Sequence, residues 1–270
     1  AVANGTTTIT SATANFVAAK GNIVYFTGGT GSIAAVRRQV TSVTNTTTIV
    51  LDASIAASTG MTMNIGGAVD TLTTAWTAGT AGNEYHVKSS GILTTGAALT
   101  PPLSTTAGIG TPYNQVIGYN TVHFDCDNFR TAPCAARPTI KATGASFNIL
   151  NGSTGQSGWI WRNFIVDCDN QTGCTAVYLY DRWIVSNVWA KNFKANGFRT
   201  NGGVYAVILF NEASGGTSNC TGIDASGSQV NVLYNFVHDN VCSWGIYSAN
   251  RAIIVGNVVS NNTGASVIGI

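Results

Sequence analysis

Cleaving a glycan on a repetitive β scaffold requires one of two residue sets. Either two carboxylates stand about 5 to 9 Å apart, or Asp and Glu ligands hold Ca²⁺ beside an Arg or Lys base. The chain has 270 residues and only 11 acids, and the candidates reduce to Asp167, Asp169, Asp239 and the neighbouring His238. Asp167 and Asp169 flank Cys168 and have the types to hold a cation, although loop carboxylates with this spacing more often just face solvent. Asp167 and Asp239 each fall four residues after a recurring Asn. They lie three repeats apart, roughly 14 Å at β-strand spacing, too far to share a substrate bond. Lys191 holds the same place one repeat after Asp167, so an ion pair is the expectation there. His86, His123 and His238 share no partner motif, so no metal centre, no Ser/His/Asp catalysis and no cofactor is expected.

Aromatic side chains offer binding rather than catalysis. Trp159, Trp161, Trp183 and Trp189, with Tyr178 and Tyr180, crowd two neighbouring repeats. Strand alternation would turn some of them outward, where rings stack on sugars or on another subunit. The competing expectation is that they fill the core. Six cysteines fall into three pairs: Cys126 with Cys134, Cys168 with Cys174, and Cys220 with Cys242. The last two are 22 residues apart, close to one repeat, so stacking would bring their Cα atoms to disulfide distance. Bridging of all three pairs is the expectation, against six free thiols.

The element that positions these residues is a repeat of about 24 residues. Asn163, Asn187, Asn211, Asn235 and Asn257 form one ladder, each preceded at three residues by Ile or Val. Gly173, Gly197, Gly222, Gly245 and Gly269 form a second ladder out of phase with it. Between them lie short β-branched and aromatic runs such as Trp159-Ile160-Trp161 and Ile253-Ile254-Val255, too short for helices. A β unit of this length that stacks on copies of itself is one coil of a parallel β-helix. The Asn ladder then belongs at a tight corner, amide bonded to amide from coil to coil, and the Gly ladder at a corner where φ is positive or a neighbouring backbone comes close.

Residues 1–66 differ in style. Thr-rich strands separated by Gly28-Gly29-Thr30-Gly31 and Thr44-Asn45 make a small antiparallel β module. The stretch 70–78 begins with Asp70 and carries Leu72, Ala75 and Trp76, a pattern that predicts a short helix capping the first coil of a solenoid spanning 67–270. Charged residues make up 9% of the chain and the net charge is +2. No basic run points to nucleic acid, and no apolar stretch approaches the ~20 residues of a membrane span. Gly269-Ile270 opens a strand with no cap after it, so the polypeptide is expected to continue or to be covered by another chain.

A resemblance follows from these segments. The Thr-rich module, Gly66-Gly67-Ala68 with the short helix, and Ala81-Gly82-Asn83-Glu84-Tyr85-His86-Val87-Lys88 with Gly91 look like the entrance to the pectate-lyase-like right-handed parallel β-helix superfamily. Arg137-Pro138-Thr139-Ile140-Lys141-Ala142 and Trp161-Arg162-Asn163-Phe164-Ile165-Val166-Asp167 resemble its coils. Residues 16–50 resemble the start of β-helical virion surface proteins of tailed bacteriophages. The implied fold is all-β: an antiparallel module, a capping helix, then a right-handed parallel β-helix. The implied role is a virion structural protein, a tail spike or fibre or a head-projecting fibre, displayed on the virion surface. As a homotrimer it would meet other virion proteins through the N-terminal module and host glycans through the coils. A polysaccharide lyase or glycoside hydrolase on the same fold, and a secreted adhesin, are the alternatives.

Overall fold

The computed structural model describes residues 2–3, 5–13, 16, 23–30, 33–66, 84–89, 92–101, 113–120, 125–127, 136–153, 156–200 and 205–264. The chain divides into two compact units, one built on 1–70 with 121–125, the other on 71–120 and 126–270. The expected helix at 70–78 lies outside the described residues, which contain strands and no helix.

The first unit is a seven-stranded sheet in which every neighbouring pair is antiparallel. One of its hairpins joins Ile33–Asn45 to Thr48–Leu51. The turn is set by Asn45, whose Oδ1 accepts from the Thr47 amide at 2.9 Å, a side chain standing in for backbone. Ile9, Phe16, Val24, Phe26, Val40, Ile49 and Leu51 fill one core.

The second unit is a three-walled parallel β-solenoid. Each full turn has a first strand, a bend, a second strand, a second bend and a third strand, and each strand pairs in parallel with its counterpart one turn on. All three strands are present in five turns, whose third strands are Asn148–Asn151, Thr175–Leu179, Asn196–Thr200, Thr217–Asp224 and Val241–Tyr247. Two strands and an isolated bridge mark a further turn on each side, through Leu99 before and Thr263 after. One inward line rises through the first wall: Tyr85, Val116, Trp161, Val185, Ile208, Val232 and Ile254. Irregular early coils were expected over 84–158, and coils of 21 to 26 residues from about 116. The first two steps of this line are 31 and 45 residues, so the early turns are irregular and the step from Val116 exceeds that spacing, while the later ones are 24, 23, 24 and 22.

The single step of 23 corrects the ladder. Asn187 is level with Phe210 and not with Asn211, so the five asparagines form two lines on opposite sides of the same wall. Asn163 and Asn187 occupy the bend itself, with φ of 67° and 51°, and turn away from the core. In later turns Phe210, Tyr234 and Gly256 take that left-handed position. Asn211, Asn235 and Asn257 stand one place on, in the inward line of Phe164 and Val188.

The inward carboxamides explain why Asn recurs. At the bend, strand pairing is interrupted and leaves one N–H and one C=O of the preceding turn without a partner. Asn211 accepts from the Val188 amide at 2.9 Å and donates to the Val185 carbonyl at 2.9 Å. Asn235 does the same for Asn211 and Ile208, and Asn257 for Asn235 and Val232. Within this line, Asn211 Nδ2 donates to Asn235 Oδ1 at 3.1 Å, and Asn235 Nδ2 to Asn257 Oδ1 at 2.9 Å. The second bend repeats the device with Asn240 and Asn262, a ladder the sequence reading missed.

The glycine ladder is partly as expected. Gly197, Gly222 and Gly245 are level in successive turns, whereas Ala176, not Gly173, holds that level one turn earlier. Gly269 lies outside the described residues. A Cβ on Gly222 would stand 2.6 Å from the Gly245 carbonyl oxygen and would run into the Val237 side chain, so close approach is the reason for this glycine.

Two stability measurements follow. Asn211→Leu leaves the Val188 amide and Val185 carbonyl buried without partners, and chemical denaturation should show a loss of about 1–3 kcal/mol. Gly222→Ala overfills the wall and should cost about 1–3 kcal/mol in the same assay.

Candidate functional site

The residues with chemical potential gather on the outward side of the second wall. Because side chains alternate across a strand, two outward lines run along it. One carries Ile165, Trp189, Glu212, Phe236 and Val258. The other carries Asp167, Lys191, Ser214, His238 and Ser260. The 23-residue step places His238, not Asp239, level with Asp167. Asp239 stands one residue further, in the left-handed position of the second bend, φ 52°.

Each candidate acid is held by a partner. Asp167 lies 3.5 Å from Lys191 Nζ, the expected ion pair, and accepts from Asn192 Nδ2 at 2.9 Å. Asp169 takes Lys141 Nζ at 2.9 Å, a hydrogen bond that holds the Lys141 ammonium above its usual range. Asp167 and Asp169 thus face two different lysines and do not converge on a cation. Among the described residues no group of His, Cys, Asp and Glu is arranged to hold a metal ion.

His238 sits in a cluster with Glu212, Asp239 and Phe236. Its Nε2 lies 3.1 Å from Glu212 Oε1, and its Nδ1 lies 2.7 Å from Asp239 Oδ2. The ring therefore bridges two successive turns. The hydrogen bond from His238, with a smaller one from Asn261, keeps the Asp239 carboxyl below the ordinary carboxylate range. Phe236 stacks on the His238 ring at 3.9 Å between centroids. Glu212 and Phe236 were not singled out in the sequence, because only the register makes them neighbours of His238.

The aromatic expectation divides. Trp159, Trp161 and Trp183 are fully buried and serve the core, so they are withdrawn as ligand platforms. Trp161 stacks with Trp183, 6.3 Å between centroids, and Trp183 donates its indole N–H to the Gln156 carbonyl. Trp189, Tyr178 and Tyr180 are half-buried at the surface. Trp189 donates to Ser214 Oγ at 2.8 Å under the Lys191 ammonium, and Arg199 lies over Tyr178.

The first bend carries a second surface feature. In the third and fourth turns its outward line is Asn163 and Asn187, which bond to Cys126, Asp127 and Arg137. Asn163 donates to Asp127 at 2.6 Å, Asn187 donates to Asn163 at 2.8 Å, and Arg137 donates to both the backbone carbonyl and Oδ1 of Asn187. In the fifth and sixth turns the same line is Phe210 and Tyr234, with rings stacked at 5.3 Å, and Tyr234 is 52% exposed.

Disulfides tie the solenoid. Cys168 is bonded to Cys174 and Cys220 to Cys242, with Cα atoms 5.9 Å and 4.4 Å apart, the second pair linking successive third strands. Cys126 is also disulfide-bonded, and its expected partner Cys134 lies outside the described residues. No helix among the described residues is long and apolar enough to cross a membrane.

Fold and site define a parallel β-solenoid protein with a self-paired polar surface. No protein-family model, curated protein or solved structure matches the chain.

The Asp239 pairing predicts an acid response. Its folded pKa lies below the unfolded value near 3.9, so its stabilisation is complete above that pH and is lost as pH falls through the folded value. Asp239→Asn should lower the melting temperature at pH 7 and flatten its decline below about pH 4. A full set of unmodified cysteines is expected when denatured, unreduced protein is treated with an alkylating reagent and weighed by mass spectrometry.

Proposed function

We propose that the chain is a structural and attachment protein of a virion surface, a tail spike or fibre or a head-projecting fibre. In this reading it acts as a homotrimer, joined to other virion proteins through the N-terminal module and carrying host-surface recognition on the solenoid. The observation that carries the reading is how the acids of the second wall are used. Asp167, Asp169, Glu212 and Asp239 are each engaged by a lysine or by His238, a pattern that stiffens a surface and leaves no opposed pair around an open space. Inward amide ladders and the cross-turn disulfide add the rigidity that a projecting rod needs. The resemblance of the front module, Phe16 to Val50, to the start of tailed-phage surface proteins supports the virion setting.

One observation favours the enzyme alternative. Glu212 and Asp239 contact opposite nitrogens of one imidazole, which brings them inside the roughly 9.5 Å limit of inverting glycosidases. The ring itself fills the gap where water and sugar would have to stand. Asp239, held below the carboxylate range, is also poorly suited to donate a proton. A secreted adhesin would use the same outward surface.

Incubation with bacterial surface polysaccharides should release no new reducing ends and no unsaturated uronate absorbance. Turnover that disappears in Asp239→Ala or Asp167→Ala would overturn this reading and establish the enzyme. Light scattering should give three times the chain mass of 27.9 kDa.

A further inference from the structure

Parallel strands covered on both sides read as continuous apolar runs, whereas a strand with one wet side alternates. Val207-Ile208-Leu209 and Ala252-Ile253-Ile254-Val255, the first-wall strands of the fifth and seventh turns, are continuous. Ile208 and Ile254 belong to the inward line, so the residues on either side of them point out. Pairing sets the outward residues of this wall in two lines. One is Ile184, Val207, Asn231 and Ile253, and the other is Ser186, Leu209, Leu233 and Val255. Neither line carries a charge from the fourth turn to the seventh. Ile253 is 59% exposed and Val255 48%, while Ile184, Val207, Leu209 and Leu233 are half-buried on the same flat side.

The other two walls are built differently. Asp167, Lys191, Glu212 and His238 stand on the outer side of the second, and Arg199 and Asp224, 3.4 Å apart, on the outer side of the third. Those walls suit water, and the first does not. In the second turn Ile117 is level with Arg162 and Ser186, on the outward side of the first wall, yet it is fully buried. That side of the wall is therefore already a packing surface where the fold covers it.

The chemistry of the wall selects its occupant. A glycan needs partners for its hydroxyls, and only Asn231 and Ser186 offer them here. A charged partner finds no countercharge. A second copy of the same wall brings aliphatic rows at the same spacing of about 4.8 Å, and an uncharged surface meets itself without like-charge repulsion. From the fourth to the seventh turn the wall measures roughly 19 by 13 Å, and Phe236 and Val258, exposed round the bend, widen it by about 10 Å. The patch of about 440 Å² is near half of the roughly 800 Å² that a standard interface buries on each partner, a fitting size for an apolar core inside a polar rim.

We propose that the outer side of the first wall, from Ile184 to Val255, is the surface on which copies of this chain pack against one another. The proposal rests on the attachment reading above and gives its homotrimer an interface. Three first walls would turn toward a common axis, leaving the charged second and third walls outside.

The test is the mass of the full chain by sedimentation over a concentration series, compared with Ile253→Asp/Val255→Asp. A control, Ser218→Asp/Asn219→Asp, adds the same two charges at exposed positions of the third strand in the fifth turn. Circular dichroism with a melting curve checks that each variant keeps its fold. The first-wall variant should fall to the chain mass of 27.9 kDa, and the control should keep the mass of the assembly. A milder variant, Ile253→Ser/Val255→Ser, should raise the concentration of half-dissociation at least tenfold, and it decides the matter if the Asp variant unfolds. A folded first-wall variant that stays assembled overturns the surface and leaves the homotrimer standing. A dimer that the first-wall variant breaks keeps the surface and overturns the homotrimer. A chain that is monomeric at every concentration, including one whose wall binds lipid vesicles instead, overturns both. The non-cleaving role is decided separately by the reducing-end assay.

Discussion

The solenoid depends on how a parallel coil closes its corners. Between strands the chain must bend, and at each bend a backbone N–H and C=O lose their partners in the neighbouring turn. Burying either without a hydrogen bond costs as much as a core cavity. A carboxamide carries one acceptor and two donors on a short side chain, so an inward Asn closes both ends and still has a donor for the next Asn. Asn211, Asn235 and Asn257 do this at the first bend, and Asn240 and Asn262 at the second. A residue in the left-handed region precedes each of these asparagines: Phe210, Tyr234, Gly256, Asp239 and Asn261.

That corner has a direct effect on the surface. The residue in the left-handed position points out of the wall, so whatever type it is becomes a fixed outward feature. It is Asn in the third and fourth turns, where Asp127 and Arg137 bond to it, and aromatic in the fifth and sixth. At the second bend it is Asp239, which the neighbouring His238 ring then captures. Structural rule and surface chemistry thus share residues. A substitution at the inward Asn is a stability change, whereas one at the residue just before it is a surface change.

The parallel stack also turns distant residues into neighbours on a regular grid. Lys191 meets Asp167 across 24 residues, and His238 meets Glu212 across 26. Such pairs lie at the surface, where an isolated ion pair contributes little, about 0–1 kcal/mol. A hydrogen-bonded bridge such as Glu212–His238–Asp239 is more constrained, since both ring nitrogens are engaged at once. The grid therefore consumes most of the nearby acids in lateral pairing, which is why few carboxylates are left to oppose each other.

The repeat, the β character and the need for Asn at a corner were legible in the sequence, because stacked units must place like residues at like positions. The Asp167–Lys191 pair and the Cys220–Cys242 bond were legible for the same reason, one period apart. What the sequence could not decide was register. A constant spacing of 24 from Asn163 to Asn235 suggested one line, yet the backbone advances by 23 between Val185 and Ile208. Since side chains alternate across a strand, that one-residue difference moves Asn211 from the outer side of the wall to the inner side. It also decides that Asp239 joins His238 at the bend instead of standing in line with Asp167. Burial of Trp159, Trp161 and Trp183 was likewise a tertiary outcome. Inward and outward positions share the same residue types in so uncharged a chain, and only the packed interior distinguishes a core ring from an exposed one.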